Sequence, residues 1–152
     1  MKVKPQADGM PRVDFYLLQT AGPAHKLNTI CRLANKVYQS KLTALIRVPD
    51  EDTAKQLDDL LWTYDQGGFV PHELAGQGPE SEQAPVLITP DSECEYRRDV
   101  LISVLEQVPR DFDQFDRVAE IVGADEGEKA RARERYRYYR DQGCQLDKHD
   151  MV

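Results

Sequence analysis

The chain has 152 residues, 40% hydrophobic and 31% charged, with a formal net charge of −7; that length suits one compact domain with a continuous core. No apolar run approaches the ~20 residues of a membrane span, and the start, Met1 to Gln6, carries two lysines with no apolar stretch behind them, unlike a secretory signal. The reading is a cytoplasmic protein, and the acidic balance argues against a whole surface built for nucleic acid, which draws on clustered Lys and Arg.

In chain order, residues 1–12 read as a flexible arm. Val13 to Leu18, β-branched and aromatic, reads as a buried strand. Between Ala24 and Ser40, Leu27, Ile30, Cys31, Ala34, Val37 and Tyr38 recur at intervals of three and four, one face of an amphipathic helix. Leu42 to Val48 is a second strand, stopped by Pro49; Asp50 can cap a helix from Glu51 to about Trp62. This β-α-β-α opening predicts a mostly parallel sheet with helices on its faces, a three-layer α/β/α fold of Rossmann-like type.

Thr63 to Ala84 is rich in Gly and Pro and reads as a long ordered loop, since Phe69, Val70 and Leu74 need somewhere to bury. Pro85–Thr89, Val100–Val104 and Val118–Val122 are strand candidates, with a short helix around Phe112 and Phe115. Asp125 caps a last helix that reaches about Gln142 and is closed by Gly143. The domain is placed at 13–146, and 147–152, with His149, reads as a ragged tail.

Enzymatic chemistry finds little support. The turn after the first strand, Gln19 to Lys26, has neither GxGxxG nor GxxxxGK[ST], so the expected fold lacks a phosphate-binding loop. Among His25, His72 and His149 none sits in a nucleophile-elbow context. His72 could serve as a base in a cleft, but a loop anchor is the plainer reading. Cys31, Cys94 and Cys144 show no metal-ligand spacing and read as free thiols of a reducing compartment. No catalytic residue, metal site or cofactor is assigned.

Two surfaces stand out. On the last helix Lys129, Arg133, Tyr136, Arg137 and Arg140 fall along one stripe, and from Lys129 to Arg140 six basic residues accompany one acid. Such a stripe can clamp carboxylates while the ring supports an apolar side chain; a solvated basic face with core-facing tyrosines is the bland alternative, and single-stranded nucleic acid a third. The other surface is Trp62 with Phe69, Val70, Pro71 and His72, either a partner-binding patch or part of the domain's own core.

Several segments, in order, resemble the chi subunit of bacterial DNA polymerase III: Phe15-Tyr16-Leu17-Leu18, Leu61-Trp62, the loop Phe69-Val70-Pro71-His72-Glu73-Leu74-Ala75-Gly76-Gln77-Gly78-Pro79, Ala84-Pro85-Val86, Arg98-Asp99-Val100-Leu101-Ile102-Ser103, and Ala132-Arg133-Glu134-Arg135-Tyr136-Arg137 with Tyr139-Arg140. The loop and the Arg-Glu-Arg-Tyr helix are the specific parts. The resemblance implies a non-catalytic replisome adaptor, a nucleotide-binding-like fold without a nucleotide site, and two protein partners. One is the acidic, phenylalanine-ending C-terminal tail of single-stranded-DNA-binding protein (SSB), at Lys129, Arg133, Tyr136 and Arg137 with Val122 walling the phenylalanine pocket. The other is the psi subunit of the clamp-loader assembly, at Trp62 and Phe69 with Val70, Pro71 and His72, a face open also to a helicase. DNA contact would be indirect. Position 137 is arginine where the family usually has lysine, which keeps charge and changes geometry. The competing readings are a small nucleotide-binding or hydrolytic enzyme and a direct single-strand binder.

Overall fold

The computed structural model describes residues 10–20, 22–63, 70–74, 84–90 and 98–151. Among the described residues seven strands and three α-helices follow in the order β1 (Arg12–Leu18), α1 (Pro23–Gln39), β2 (Ala44–Arg47), α2 (Glu51–Thr63), β3 (His72–Leu74), β4 (Val86–Thr89), β5 (Val100–Ser103), β6 (Arg117–Val122), α3 (Glu126–Asp141) and β7 (Gln145–Met151), with a 3-10 turn at Phe112–Gln114. The strands form a single sheet ordered β3-β4-β2-β5-β6-β1-β7, and every described ladder is parallel.

The central strands are short apolar runs because both faces are covered. On one face Ile30 and Ala34 of α1 and Leu57 and Leu61 of α2 pack against Ile46 and Ile88. On the other, Tyr139 of α3 and Phe112 close over Phe15, Leu45, Leu101 and Val118. Leu45 and Ile46 are neighbours in sequence yet belong to opposite cores, as a strand's two-residue period requires. The result is the expected three-layer α/β/α arrangement.

Three boundaries differ from the sequence reading. Met10 packs against the α3-side core and Pro11 is buried, so the chain is anchored before residue 12; residues 1–9 lie outside the described residues. His72–Leu74, read as loop, is an edge strand paired with β4. The expected tail from 147 is instead β7, paired with β1 along its whole length. Its sequence, Gln-Leu-Asp-Lys-His-Asp-Met, has almost no apolar alternation because polar contacts hold it. On the α1 side of the sheet, Asp14 is buried and accepts hydrogen bonds from His149 Nε2 and Arg117 Nη2, each at 2.9 Å. His149 stacks on Tyr16 with ring centroids 4.8 Å apart, and Arg12 pairs with Asp147.

Burial alone would raise the Asp14 carboxyl, but the hydrogen bonds from His149 and Arg117 and the charges of Arg117 and Arg12 outweigh it and hold it below its ordinary range. A carboxyl lowered on folding stabilises the fold fully above its unfolded value of about 3.9, and that contribution is lost as pH falls through the folded value. Asp14→Asn should therefore cost about 1–3 kcal/mol at neutral pH by leaving its donors poorly matched. In urea titrations the gap between variant and wild type should narrow below about pH 4; a gap that is constant with pH would rule out this role.

Gly143 has φ +91 and ends α3: its amide reaches the Arg140 carbonyl and that of Cys144 the Tyr139 carbonyl, so the chain reverses directly into β7. Cys31 and Cys144 are buried and form no disulfide among the described residues, and burial pushes the Cys31 thiol up to about 12. Cys94 lies outside the described residues. No described helix is long and apolar enough to cross a membrane.

Candidate functional site: a cationic cleft between α3 and the β6-β1-β7 edge

The last helix owes its start to Asp125, whose side chain accepts the Glu128 amide at 2.9 Å. That carboxyl is held below its ordinary range chiefly by this bond. The preceding turn is tight: a Cβ on Gly123 would stand 2.0 Å from Glu128 Oε2, so the carboxylate lies against bare backbone. The chain therefore folds back along β6 with Ala132, Arg135 and Tyr139 turned inward.

A fully buried charge fixes the helix in that position. Glu120 of β6 accepts from Tyr139 Oη at 2.6 Å and from Arg135 Nε at 3.1 Å, and Arg135 also donates to the Glu106 carbonyl at 3.0 Å. Burial pushes the Glu120 carboxyl upward, opposed by the charge of Arg135 and the Tyr139 hydrogen bond. Tyr139 is raised well above the ordinary phenol range, first by burial and then by Glu120, so it stays a neutral donor. With Arg135 and Tyr139 locked inward, the intervening helix surface must face out.

That surface forms one wall of a cleft of about 520 Å³ whose lining includes Lys129, Arg133, Tyr136, Arg137 and Val122. All the residues assigned from the sequence to the tail-binding site are thus brought together. Val122, Phe15 and Ala132 are buried and make an apolar floor, while Arg133 and Arg137 stand exposed. Among the described residues Arg133 and Arg137 form no ion pair; Lys129 is 3.9 Å from Glu126. Tyr136 is half-buried, its ring 5.4 Å from that of Phe15. Cations on a rim above an aromatic floor suit a ligand with carboxylates and one apolar end.

Sequence reasoning missed the opposite wall. Phe15 and Leu17 of β1 and Lys148 and Asp150 of β7 also line the cleft, and Lys148 Nζ lies 5.1 Å from the centre of the Tyr136 ring. The signal for Phe15 was there, since alternation along β1 puts residues 13, 15 and 17 on one face. For Lys148 there was none once its segment was read as a tail.

The second predicted surface is only partly one. Trp62 is 62% exposed, the larger of the two exposed large hydrophobics among the described residues. Its ring meets His72 edge-on at 5.3 Å. Val70 and His72, however, are buried, and Pro71 is half-buried. His72 sits in the edge strand with Nδ1 2.7 Å from the Val70 carbonyl and Nε2 3.3 Å from Asp58, so it anchors this segment under Trp62. Val70 and His72 thus lie inside the domain, beneath the exposed indole of Trp62. Phe69 lies outside the described residues.

Comparison with known proteins agrees with the resemblance read from the motifs. Residues 10–147 match the family model described as "DNA polymerase III chi subunit, HolC". DNA polymerase III subunit chi of Pseudomonas aeruginosa is 35% identical over 142 residues, covering 93% of this chain and 98% of the relative. Its counterparts in Escherichia coli and Haemophilus influenzae are 33% and 30% identical, covering 91% and 87% of this chain and 97% and 92% of theirs. In three dimensions the chain is similar to the C-terminal domain of the DEAD-box protein Dbp5, with TM-score 0.64 over 95% of this chain and 92% of that one; at 14% identity this likeness concerns the fold alone. With both the motifs and the full-length matches in hand, the chain belongs to the chi-subunit family of DNA polymerase III, accessory and non-catalytic subunits of a replication enzyme.

Proposed function

We propose that this protein is a cytoplasmic replisome adaptor whose α3 cleft receives the acidic, phenylalanine-ending C-terminal tail of SSB, while its Trp62 face joins the psi subunit and so the clamp loader. The observation that carries the reading is the coincidence, in one cleft, of an apolar floor at Val122, Phe15 and Ala132 with a rim of cations. The terminal phenylalanine would sit against Val122 and Tyr136, Arg133 would take its carboxylate, and Lys129 and Arg137 the acidic residues before it. Trp62, exposed above His72, is the anchor expected for psi. DNA is reached through SSB, in keeping with a chain of net charge −7.

The physics sets the affinity. Burying a phenylalanine side chain is worth about 1.5–3 kcal/mol, the charge-assisted hydrogen bond from Arg133 to the terminal carboxylate about 1.5–3 kcal/mol, and each further solvent-exposed ion pair roughly 0.2–1 kcal/mol. Ordering a flexible tail opposes these gains. Modest, micromolar-range affinity is what such a short flexible tail is expected to reach. The test is titration of a labelled Asp-rich peptide ending in Ile-Pro-Phe. It should bind in the micromolar range, weaken as salt rises, and lose most affinity when the terminal carboxylate is amidated. Absence of binding at low salt would exclude the cleft as a tail receptor.

A further inference from the structure

Strand β7 places a second, oppositely charged pair of side chains along the cleft. In register, Phe15 of β1 stands between Glu120 and Lys148, and Leu17 stands between Val122 and Asp150. Lys148 therefore lies at the level of the Tyr136 ring, and Asp150 beside the apolar end formed by Leu17 and Val122. The strand is keyed in that orientation: Asp147 and His149 engage Arg12 and Asp14 on the α1 side of the sheet, which turns Lys148 and Asp150 toward α3. Lys148 is exposed and makes no ion pair among the described residues; its Nζ stands over the face of Tyr136, 5.1 Å from the ring centre. Among the described residues that line the cleft Asp150 is the sole carboxylate, with Gln19 Nε2 at 3.4 Å.

We propose that Lys148 is a specificity-determining contact of the cleft. From the wall opposite Arg137 it grips an acidic side chain upstream of the docked end. The inference rests on the tail-binding reading above. A cation already poised over an aromatic face gains a carboxylate partner without being moved.

The experiment is a double-mutant cycle on the full chain, measured by titration. The protein is wild type, Lys148→Ala, Lys148→Arg or Lys148→Glu; the peptide is the Asp-rich one ending in Ile-Pro-Phe, or the same with Asn for every Asp. Lys148→Ala should bind the acidic peptide about three- to fivefold more weakly, Lys148→Glu weaker still, and Lys148→Arg close to wild type. The loss should vanish with the Asn peptide, which a merely structural role for Lys148 would not produce. Wild-type binding with no loss in Lys148→Ala, or an equal loss for both peptides, would overturn the inference and leave the tail reading standing. No binding by the wild type would overturn the tail reading and this inference with it.

Discussion

Arg135→Ala should destabilise the domain by about 3–5 kcal/mol, because removing one partner of a buried ion pair strands the other charge. Glu120 is fully buried, and after the substitution Tyr139 alone would remain to it. The Glu106 carbonyl would also lose its Arg135 donor. Against a typical domain stability of about 5–15 kcal/mol such a loss is large, and it should appear as a lower urea midpoint with the slope unchanged. Tyr139→Phe, which keeps the ring in the core and removes one hydrogen bond, should cost only about 1–2 kcal/mol. Replacing Glu120 and Arg135 together by leucine and methionine should recover much of the loss, since well-packed apolar residues often match a buried ion pair. A loss below about 1 kcal/mol in Arg135→Ala would mean that Glu120 is accommodated as a neutral acid and that the pair does not set the helix position.

Arg133→Ala should have the largest effect on binding. Its guanidinium is exposed at the rim of the cleft and forms no ion pair among the described residues, so removal leaves nothing inside the protein unsatisfied. Stability should change by no more than about 0.5 kcal/mol. The lost interaction is a charge-assisted hydrogen bond to the peptide's terminal carboxylate, worth about 1.5–3 kcal/mol, which corresponds to an affinity drop of roughly tenfold to over a hundredfold. The contrast with Arg135, two positions along the same helix, is the informative one: one arginine holds the helix and the other is presented by it. Calorimetric titration paired with thermal unfolding separates them. Equal losses of stability in the two variants would contradict the assignment.

The legibility of this protein in its sequence followed the strength of the local physical signals. Ile30, Ala34, Leu57 and Leu61 fall at helical intervals, and both helices on that face appear where the intervals place them. The first three residues of β2, β4 and β5 (Ala44–Ile46, Val86–Ile88 and Val100–Ile102) are apolar because their strands are covered on both faces, and that is visible without structure. Asp125 and Gly143 bound the last helix as capping chemistry predicts. What was not legible has no periodic apolar signal. Strand β7 is held through Asp14, Arg12 and backbone pairing to β1, contacts between residues more than a hundred positions apart. Strand β3 is three residues long and sits in a segment whose Gly and Pro content reads as loop.

The same division runs through the cleft. The α3 half was visible as a stripe from Lys129 to Arg140 because spacing on one helix reveals a shared face, while its role as a tail site was implied only by the family resemblance. The β7 half was not visible, because Lys148 reaches Tyr136 only through the fold. Nor could sequence decide whether the ring of Trp62 faces outward or into the core; for His72 the plainer reading, a loop anchor, agrees with its place under the indole, Nδ1 against the Val70 carbonyl.

The most direct test of the tail-receptor reading is a backbone amide shift map of the labelled protein during titration with the Asp-rich peptide ending in Ile-Pro-Phe. The account predicts that the largest shifts fall on Val122 and Gly123, along Arg133 to Arg137 and at Lys148, with the amides around Trp62 unmoved. Shifts centred on Trp62, or spread without focus over the surface, would contradict it.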